Sequence, residues 1–387
     1  MQRYDVAIVG GGASGLACAL TLKRKNKDIS VVVIDACERL GKKLAATGNG
    51  QGNVSNVNLS PANYHGGGSA LAQKVIGGNY NLPSLLFNCL FAADGEGRMY
   101  PSGRQASSLT DSLIRELSGG VTFINPVRVS QVRRGFVLKL SDGRELGAAK
   151  VVLACGGKAQ KQFGTDGTAY SLAQSLGHKL TALNPSLVQL KTDTAHIKTL
   201  KGIRADCIVT AYCGKNVLGS ARGDVIFTDY GLSGNAIFKI SSLVSGLKDV
   251  TLSLAFLPDF SREEIMRDIA RKISLGYPVS ELLSGTLHNQ IGRAIIKRCP
   301  GSSAENIAYM VKNFSLTVTG TLGFDYAQVT HGGIDCADIG EDMQSKLVKG
   351  LYLVGEYVDV DGDCGGYNLL WAFASGVRAA QSIAEGI

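Results

Sequence analysis

The 387-residue chain predicts an α/β fold: a Rossmann-type dinucleotide-binding domain carrying an inserted antiparallel β-rich domain and a small helical domain. Three observations carry this. A short apolar run near the N-terminus opens directly into Gly10-Gly11-Gly12-Ala13-Ser14-Gly15, the middle of the chain changes to short alternating runs, and two helix-capping signals sit inside that middle region. A composition of 45% hydrophobic and 19% charged residues suits a globular chain long enough for two or three compact units.

Residues 4–9 read as a buried strand, and the G-x-G-x-x-G turn then opens a helix with Leu16, Ala19, Leu20 and Leu22 on its apolar face. Gly10 permits the sharp turn, Gly12 lets the backbone approach a pyrophosphate, and Gly15 lets helix and strand pack closely. Ala13 and Ser14 complete the set of N–H groups at the helix start, where the dipole favours phosphate by about 1 kcal/mol. A second buried strand at 30–34 ends in Asp35, twenty residues past Gly15, placed to accept hydrogen bonds from an adenosine ribose. The basic run 23–27 reads as a solvated helix end.

Further on, residues 151–157 form another buried strand that ends in glycines and is not a second G-x-G-x-x-G. Residues 121–124 and 129–132 are short strands of the same unit. Near the C-terminus a strand at 351–354 meets Gly355 and Glu356, and Gly366-Tyr367-Asn368 precedes an apolar helical run. The start of that helix, near Gly366, carries the positive end of its dipole.

The loop Gly41-Lys42-Lys43-Leu44-Ala45-Ala46-Thr47-Gly48-Asn49-Gly50 separates FAD from NAD as the ligand. With the segments at 97–102, 164–167, 176–178, 227–234 and 355–369, it makes the chain resemble the FAD-binding oxidoreductases of the YhiN/BaiN type, which include aminoacetone oxidase-like proteins. The resemblance spans essentially the whole chain. It implies the glutathione-reductase/succinate-dehydrogenase-like superfamily fold and one non-covalent FAD, with Lys43, Thr47, Gly48, Asn49, Ala154, Gly156, Gly355, Gly366, Tyr367 and Asn368 among the cofactor residues. It also implies Glu356 placed for the ribityl chain, and the helix start near Gly366 aimed at the flavin pyrimidine ring, where it would stabilise negative charge. The family pattern also sets the backbone of Val129 against the adenine edge. One departure stands out: Gln51-Gly52 replaces the family's usual Arg-Cys.

Residues 186–257 alternate in short runs bounded by Gly and polar turns, as in an antiparallel sheet or small barrel. Ser261 to Glu264 is a capping box, and Ser302 to Glu305 repeats the signal. The expected domains are therefore 1–185 with 324–387 for FAD, 186–258 with 315–323 for a β-rich substrate domain, and 259–314 for a helical insert. The substrate is expected over the flavin ring, between the FAD domain and the insert.

No catalytic triad or paired acids can be read. By resemblance Tyr100, Arg104 and Arg98 are the catalytic candidates, an Arg orienting an anionic substrate and a Tyr relaying a proton. Their alternative roles are an Arg paired structurally and a Tyr in the core; His178 reads as a helix-end residue, and His331, where the chain re-enters the FAD domain, as a turn residue with a place near the ring as its alternative. Nine scattered cysteines show neither a C-x-x-C pair nor zinc spacing, so no metal site is expected, and a reducing cytoplasm fits. No membrane span is expected. The net charge of +8 is spread along the chain and so argues against a nucleic-acid partner, while the oligomeric state is not encoded legibly.

The first functional reading is an NAD(P)H-dependent reductase of a small organic substrate, with transient nicotinamide binding at the flavin. An oxygen-using oxidase of a small amine such as aminoacetone is the second. A flavin-bearing RNA-associated protein is the third.

Overall fold

The computed structural model describes residues 1–386. Contacts divide the chain into two compact units, 1–184 with 329–386, and Pro185–Gln328.

The first unit is built on a seven-stranded sheet. Its parallel part runs Val121–Ile124, Val31–Ile34, Gln2–Val9, Glu145–Leu153 and Leu351–Leu353, with Val6 in register with Val31 and Lys150. Val31–Ile34 is buried on both faces, which is why it reads as four consecutive β-branched residues with no polar alternation. Two antiparallel strands, Val137–Leu140 and Val129–Arg133, extend the sheet from Glu145–Leu153.

The first helix, Ala13–Lys25, is buried over most of its circumference because it lies between this sheet and the C-terminal helix Tyr367–Glu385. The two helices meet at Gly376, where a Cβ would stand 2.2 Å from the carbonyl oxygen of Ser14, so only glycine allows that approach. At the other end, Lys23 turns its ammonium onto the carbonyls of Lys27 and Ile29.

The second unit contains a closed barrel of six strands in the order Leu190–Thr192, Gly231–Ser233, Asn216–Phe227, Arg204–Cys213, Val250–Phe256 and Phe314–Thr321. The alternation seen in the sequence is the inside–outside alternation of this barrel; Val250–Phe256 buries every second residue. The helices Asn235–Val244, Arg262–Ser274, Asn289–Arg298 and Ala304–Lys312 share one apolar core with the barrel, through residues such as Ile269, Ile295, Val311 and Phe256.

The capping box at Ser261 forms as expected, its hydroxyl accepting from the Glu264 N–H and Glu264 accepting from the Ser261 N–H. The second signal is displaced by one residue. Ser303, not Ser302, caps Ala304–Lys312, accepting from the Asn306 N–H, because the chain still runs through the Gly301 turn at Ser302.

Candidate functional site

The glycine turn closes the first strand onto the first helix. Gly10 has φ +108°, and a Cβ on it would meet the Ala154 carbonyl at 2.3 Å; one on Gly15 would meet the Gly10 carbonyl at 2.0 Å. Gly12 is different: a Cβ there meets nothing within 4 Å. As the N-cap of the helix it has no side-chain cap, and the first turn, Ala13 and Ser14 included, holds no acidic residue, so no side chain offsets the positive end of the dipole there.

Asp35 sits at the adjoining strand end. Its carboxylate accepts from the Gly11 N–H at 2.6 Å and from the Cys37 N–H at 2.7 Å. Each oxygen keeps a lone pair for a further donor. Val129 lies in the edge hairpin opposite Leu140, and nearby Arg128 is anchored to Thr168 and Asp166.

A second cluster lies around Glu356. Lys43, on the short helix Lys42–Ala46, reaches one carboxylate oxygen at 2.7 Å, and the Thr330 N–H reaches the other at 2.9 Å. The Thr330 hydroxyl in turn accepts from the N–H groups of Lys158 and Ala159, just past Gly156 at the end of the Glu145–Leu153 strand. Gly355 donates to Ser375, and its carbonyl accepts from the Trp371 indole. The carboxylate thereby ties three chain segments together, and the Thr330 hydroxyl adds a fourth.

After Thr47 the chain takes left-handed conformations at Gly48, Asn49, Gly50 and Gly52. Asn49 is the one non-glycine of that set, held by backbone bonds from Gly50 and Gly52 to the Thr47 carbonyl.

Gly366, also left-handed, is the N-cap of the C-terminal helix. Its N–H is taken by the Asn53 side chain, and a Cβ on it would stand 2.3 Å from the Ser55 carbonyl. The Tyr367 hydroxyl donates to the Asn58 carbonyl, and Asn368 clamps both backbone groups of Gly362. The side chains of Tyr367 and Asn368 thus hold the loop before the helix, and the Tyr64 hydroxyl donates to the Tyr367 carbonyl.

Among the catalytic candidates, Arg98 is bound to Asp94 through Nε and Nη2, both at 2.8 Å, and is the internal tie of a hairpin. Tyr100 is buried, which pushes its phenol pKa up and keeps it protonated. Arg104 lies over the Tyr100 ring at 4.5 Å and donates to Gln51 at 3.0 Å. The structure joins Tyr100 and Arg104, whereas the contacts of Arg98 are those of the structural alternative. His178 is buried, its Nε2 2.8 Å from the Ser345 hydroxyl and its N–H closing the helix end onto Ala173.

Sequence reasoning passed over one cluster. His331 Nδ1 lies 2.8 Å from the fully buried Asp361, and His65 Nε2 lies 2.9 Å from Asp363. Asp361 stands opposite His65 in a two-residue antiparallel ladder. The hydrogen bond that His331 donates to Asp361 raises the His331 pKa against burial; the bond that His65 donates to Asp363 does the same for His65. Asp359 takes the Gly67 N–H, and burial raises its own pKa. The available signal was the spacing Asp359-Val360-Asp361-Gly362-Asp363, alternate acids on an otherwise apolar extended segment.

The chain matches the HI0933-like protein Rossmann domain over residues 4–382. It is 35% identical to the 3-dehydro-bile acid delta(4,6)-reductase of Clostridium scindens, over 98% of this chain and 99% of that one. It is 29% identical to the ribosomal RNA dihydrouridine synthase of Haemophilus influenzae over the full length of both. Among solved structures, the 3-ketosteroid delta1-dehydrogenase of Sterolibacterium denitrificans shares the fold with a TM-score of 0.53 at 13% identity, each chain covered entirely. With the glycine turn, the parallel sheet and these matches in agreement, the chain belongs to the HI0933-like family and is a Rossmann-fold flavoprotein oxidoreductase.

Proposed function

We propose that the protein is an FAD-dependent reductase that saturates a C=C bond conjugated to a carbonyl in a small organic substrate, with NAD(P)H as a transient donor. The observation that carries this is the common chemistry of the two full-length relatives. A 3-dehydro compound with delta-4,6 unsaturation carries its double bonds in line with a carbonyl, and dihydrouridine is uridine whose carbonyl-conjugated ring C=C has been saturated.

The residues present suit FAD. The open space before Gly12, with uncapped N–H groups and no acid in the first turn, fits a pyrophosphate, for which Gly10, Ala13, Ser14 and Gly15 complete the turn. In this reading Asp35 takes the adenosine ribose and the Val129 backbone the adenine edge. Glu356, polarised by Lys43, takes the ribityl chain beside Ala154, Gly156 and Gly355. The loop Thr47-Gly48-Asn49 and the helix start at Gly366, Tyr367 and Asn368 receive the flavin ring. When bound, the cofactor supplies two-electron transfer; the chain's own groups orient the substrate and move protons. Tyr100, kept protonated by burial, and Arg104 above it are the pair proposed to orient a carbonyl or carboxylate group.

A second reading, a uridine within RNA as the substrate, draws support from the two synthase relatives at 29% and 28% identity over nearly their whole lengths.

The test is anaerobic titration of the yellow protein with NADH and NADPH, following the flavin band at about 450 nm. The reduced protein is then mixed with a 3-oxo-4,6-diene bile acid or with uridine-containing ribosomal RNA. Bleaching by a nicotinamide and recovery of colour on adding the bile acid is the expected result. Recovery with RNA alone selects the second reading. Bleaching by aminoacetone but by neither nucleotide refutes the reductase in favour of an amine oxidase.

A further inference from the structure

His331 is one residue from Thr330, whose N–H is bound by Glu356, so it lies beside the group assigned above to the ribityl chain. Asp361, which holds His331, is one residue from Gly362, the residue clamped by Asn368 at the start of the C-terminal helix. Along the chain, this imidazole–carboxylate pair therefore adjoins the segments assigned to two parts of the flavin.

Its geometry suits proton donation. Asp361 is fully buried, and a buried carboxylate needs a donor; the Nδ1 of His331 at 2.8 Å supplies one. With Nδ1 carrying hydrogen, Nε2 is the atom left to take up or release a proton, and it has no protein partner among the described residues. The ring is 28% exposed, so Nε2 is reachable, and His65, 23% exposed, stands across the ladder from Asp361 with Asp363 on its own Nε2. The charged groups facing His331 are Asp361 and Asp359; those facing His65 are Asp363, Asp361 and His331 itself.

We propose that His331 is the acid that protonates the substrate, that Asp361 is its positioning residue, and that His65 with Asp363 restores its proton from solvent. This rests on the reductase reading. The substrate's β-carbon receives the hydride equivalent that the nicotinamide donor furnished through the cofactor, and the π pair of the C=C bond moves to the α-carbon. That carbon forms a C–H bond to the proton leaving Nε2, imidazolium becomes imidazole, and a solvent proton relayed by His65 returns it to the charged form. Two electrons and two hydrogens are added, and the carbonyl is unchanged.

The test uses FAD-loaded protein, reduced anaerobically and mixed with the 3-oxo-4,6-diene bile acid across a pH series. His331→Gln is expected to slow flavin reoxidation about 100-fold and to abolish the fall in rate that the wild type shows as pH rises through the His331 pKa. Exogenous imidazole restores part of the loss, and His196→Gln, at an exposed position of the other unit, serves as the unchanged control. Nitrogen-15 NMR of histidine-labelled wild-type holoprotein supplies a readout independent of turnover, with His331 expected to keep its Nδ1 hydrogen in the neutral form. A His331→Gln protein that retains the wild-type rate and pH profile overturns the proposal. So does a neutral His331 with its hydrogen on Nε2, and the NMR result decides the matter alone if the variant does not fold. If wild-type protein is bleached by NAD(P)H yet reduces no conjugated alkene, the reductase reading is what has failed, and this proposal falls with it.

Discussion

Replacing Gly12 by alanine separates cofactor binding from folding, because Gly12 alone among the three fingerprint glycines has free space where a Cβ would stand. Its φ of −85° is open to any residue. At an N-cap, alanine costs about 0.5–1 kcal/mol relative to glycine. The narrower unfolded ensemble returns about 0.4–1 kcal/mol, so the apoprotein should unfold within about 0.5 kcal/mol of wild type. The added methyl stands where the pyrophosphate must approach. Losing that approach weakens the dipole interaction, about 1 kcal/mol, and one or more charge-assisted hydrogen bonds at about 1.5–3 kcal/mol each. A total of roughly 2–4 kcal/mol corresponds to about 30- to 1000-fold in the FAD dissociation constant. Titration of apoprotein with FAD by flavin fluorescence, alongside urea unfolding of the same apoprotein, reads both quantities. Gly15→Ala is the contrast. Its Cβ would stand 2.0 Å from the Gly10 carbonyl, so that variant loses stability with or without FAD. A Gly12→Ala protein that binds FAD as tightly as wild type would refute the placement of the pyrophosphate at this turn.

Lys43→Met leaves one oxygen of the mostly buried Glu356 carboxylate without its ammonium partner. The expected cost is about 1–3 kcal/mol, with faster loss of flavin on dilution; thermal unfolding with and without added FAD measures both. His65 gives a pH prediction. Its hydrogen bond to Asp363 raises the folded-state pKa above 6.5, so its stabilisation is complete below pH 6.5 and is lost as pH rises through the folded value. The gap in urea midpoint between wild type and His65→Gln should therefore be widest in mild acid and close on the alkaline side; a gap that widens with pH contradicts the pairing.

The parallel core was legible because burial on both faces leaves a simple trace, an apolar run such as residues 31–34 ending at a turn with a steric requirement. The Gly10 and Gly15 contacts, at 2.3 and 2.0 Å for a hypothetical Cβ, show how little freedom that turn has. The barrel was legible as alternation, though a sheet and a barrel leave the same period; closure rests on the pairing of Leu190–Thr192 with Phe314–Thr321, more than 120 residues apart. The Lys43–Glu356 bond, 313 residues apart, could not be read from spacing for the same reason. The acids at 359, 361 and 363 were visible, but their histidine partners come from 65 and 331, and no local pattern links three such distant segments. Arg98 shows a local pairing that the spacing did carry. The resemblance offered it for catalysis beside the alternative of a structurally paired Arg, and Asp94, four residues back, holds its guanidinium.

The replacement of Arg-Cys by Gln51-Gly52 has a local physical consequence. Gly52 has φ +83°, and a Cβ there would lie 3.1 Å from Pro101 Cδ and 3.3 Å from Ala106 Cα, so cysteine in this backbone conformation would be strained. Glycine lets the loop turn tightly against the 101–106 segment, where the Ala106 N–H bonds the Gly50 carbonyl at 2.8 Å. Gln51 completes the latch by accepting from Arg104, itself in a left-handed conformation and stacked on Tyr100. An arginine at 51 would set a second guanidinium against the first and offer no acceptor. In this chain a neutral amide therefore leaves Arg104 free of like-charge repulsion and directs its guanidinium over the Tyr100 ring. The departure from the family pattern and the Tyr100–Arg104 pair are two sides of one arrangement, in which the residue at 51 governs where the cation at 104 can rest.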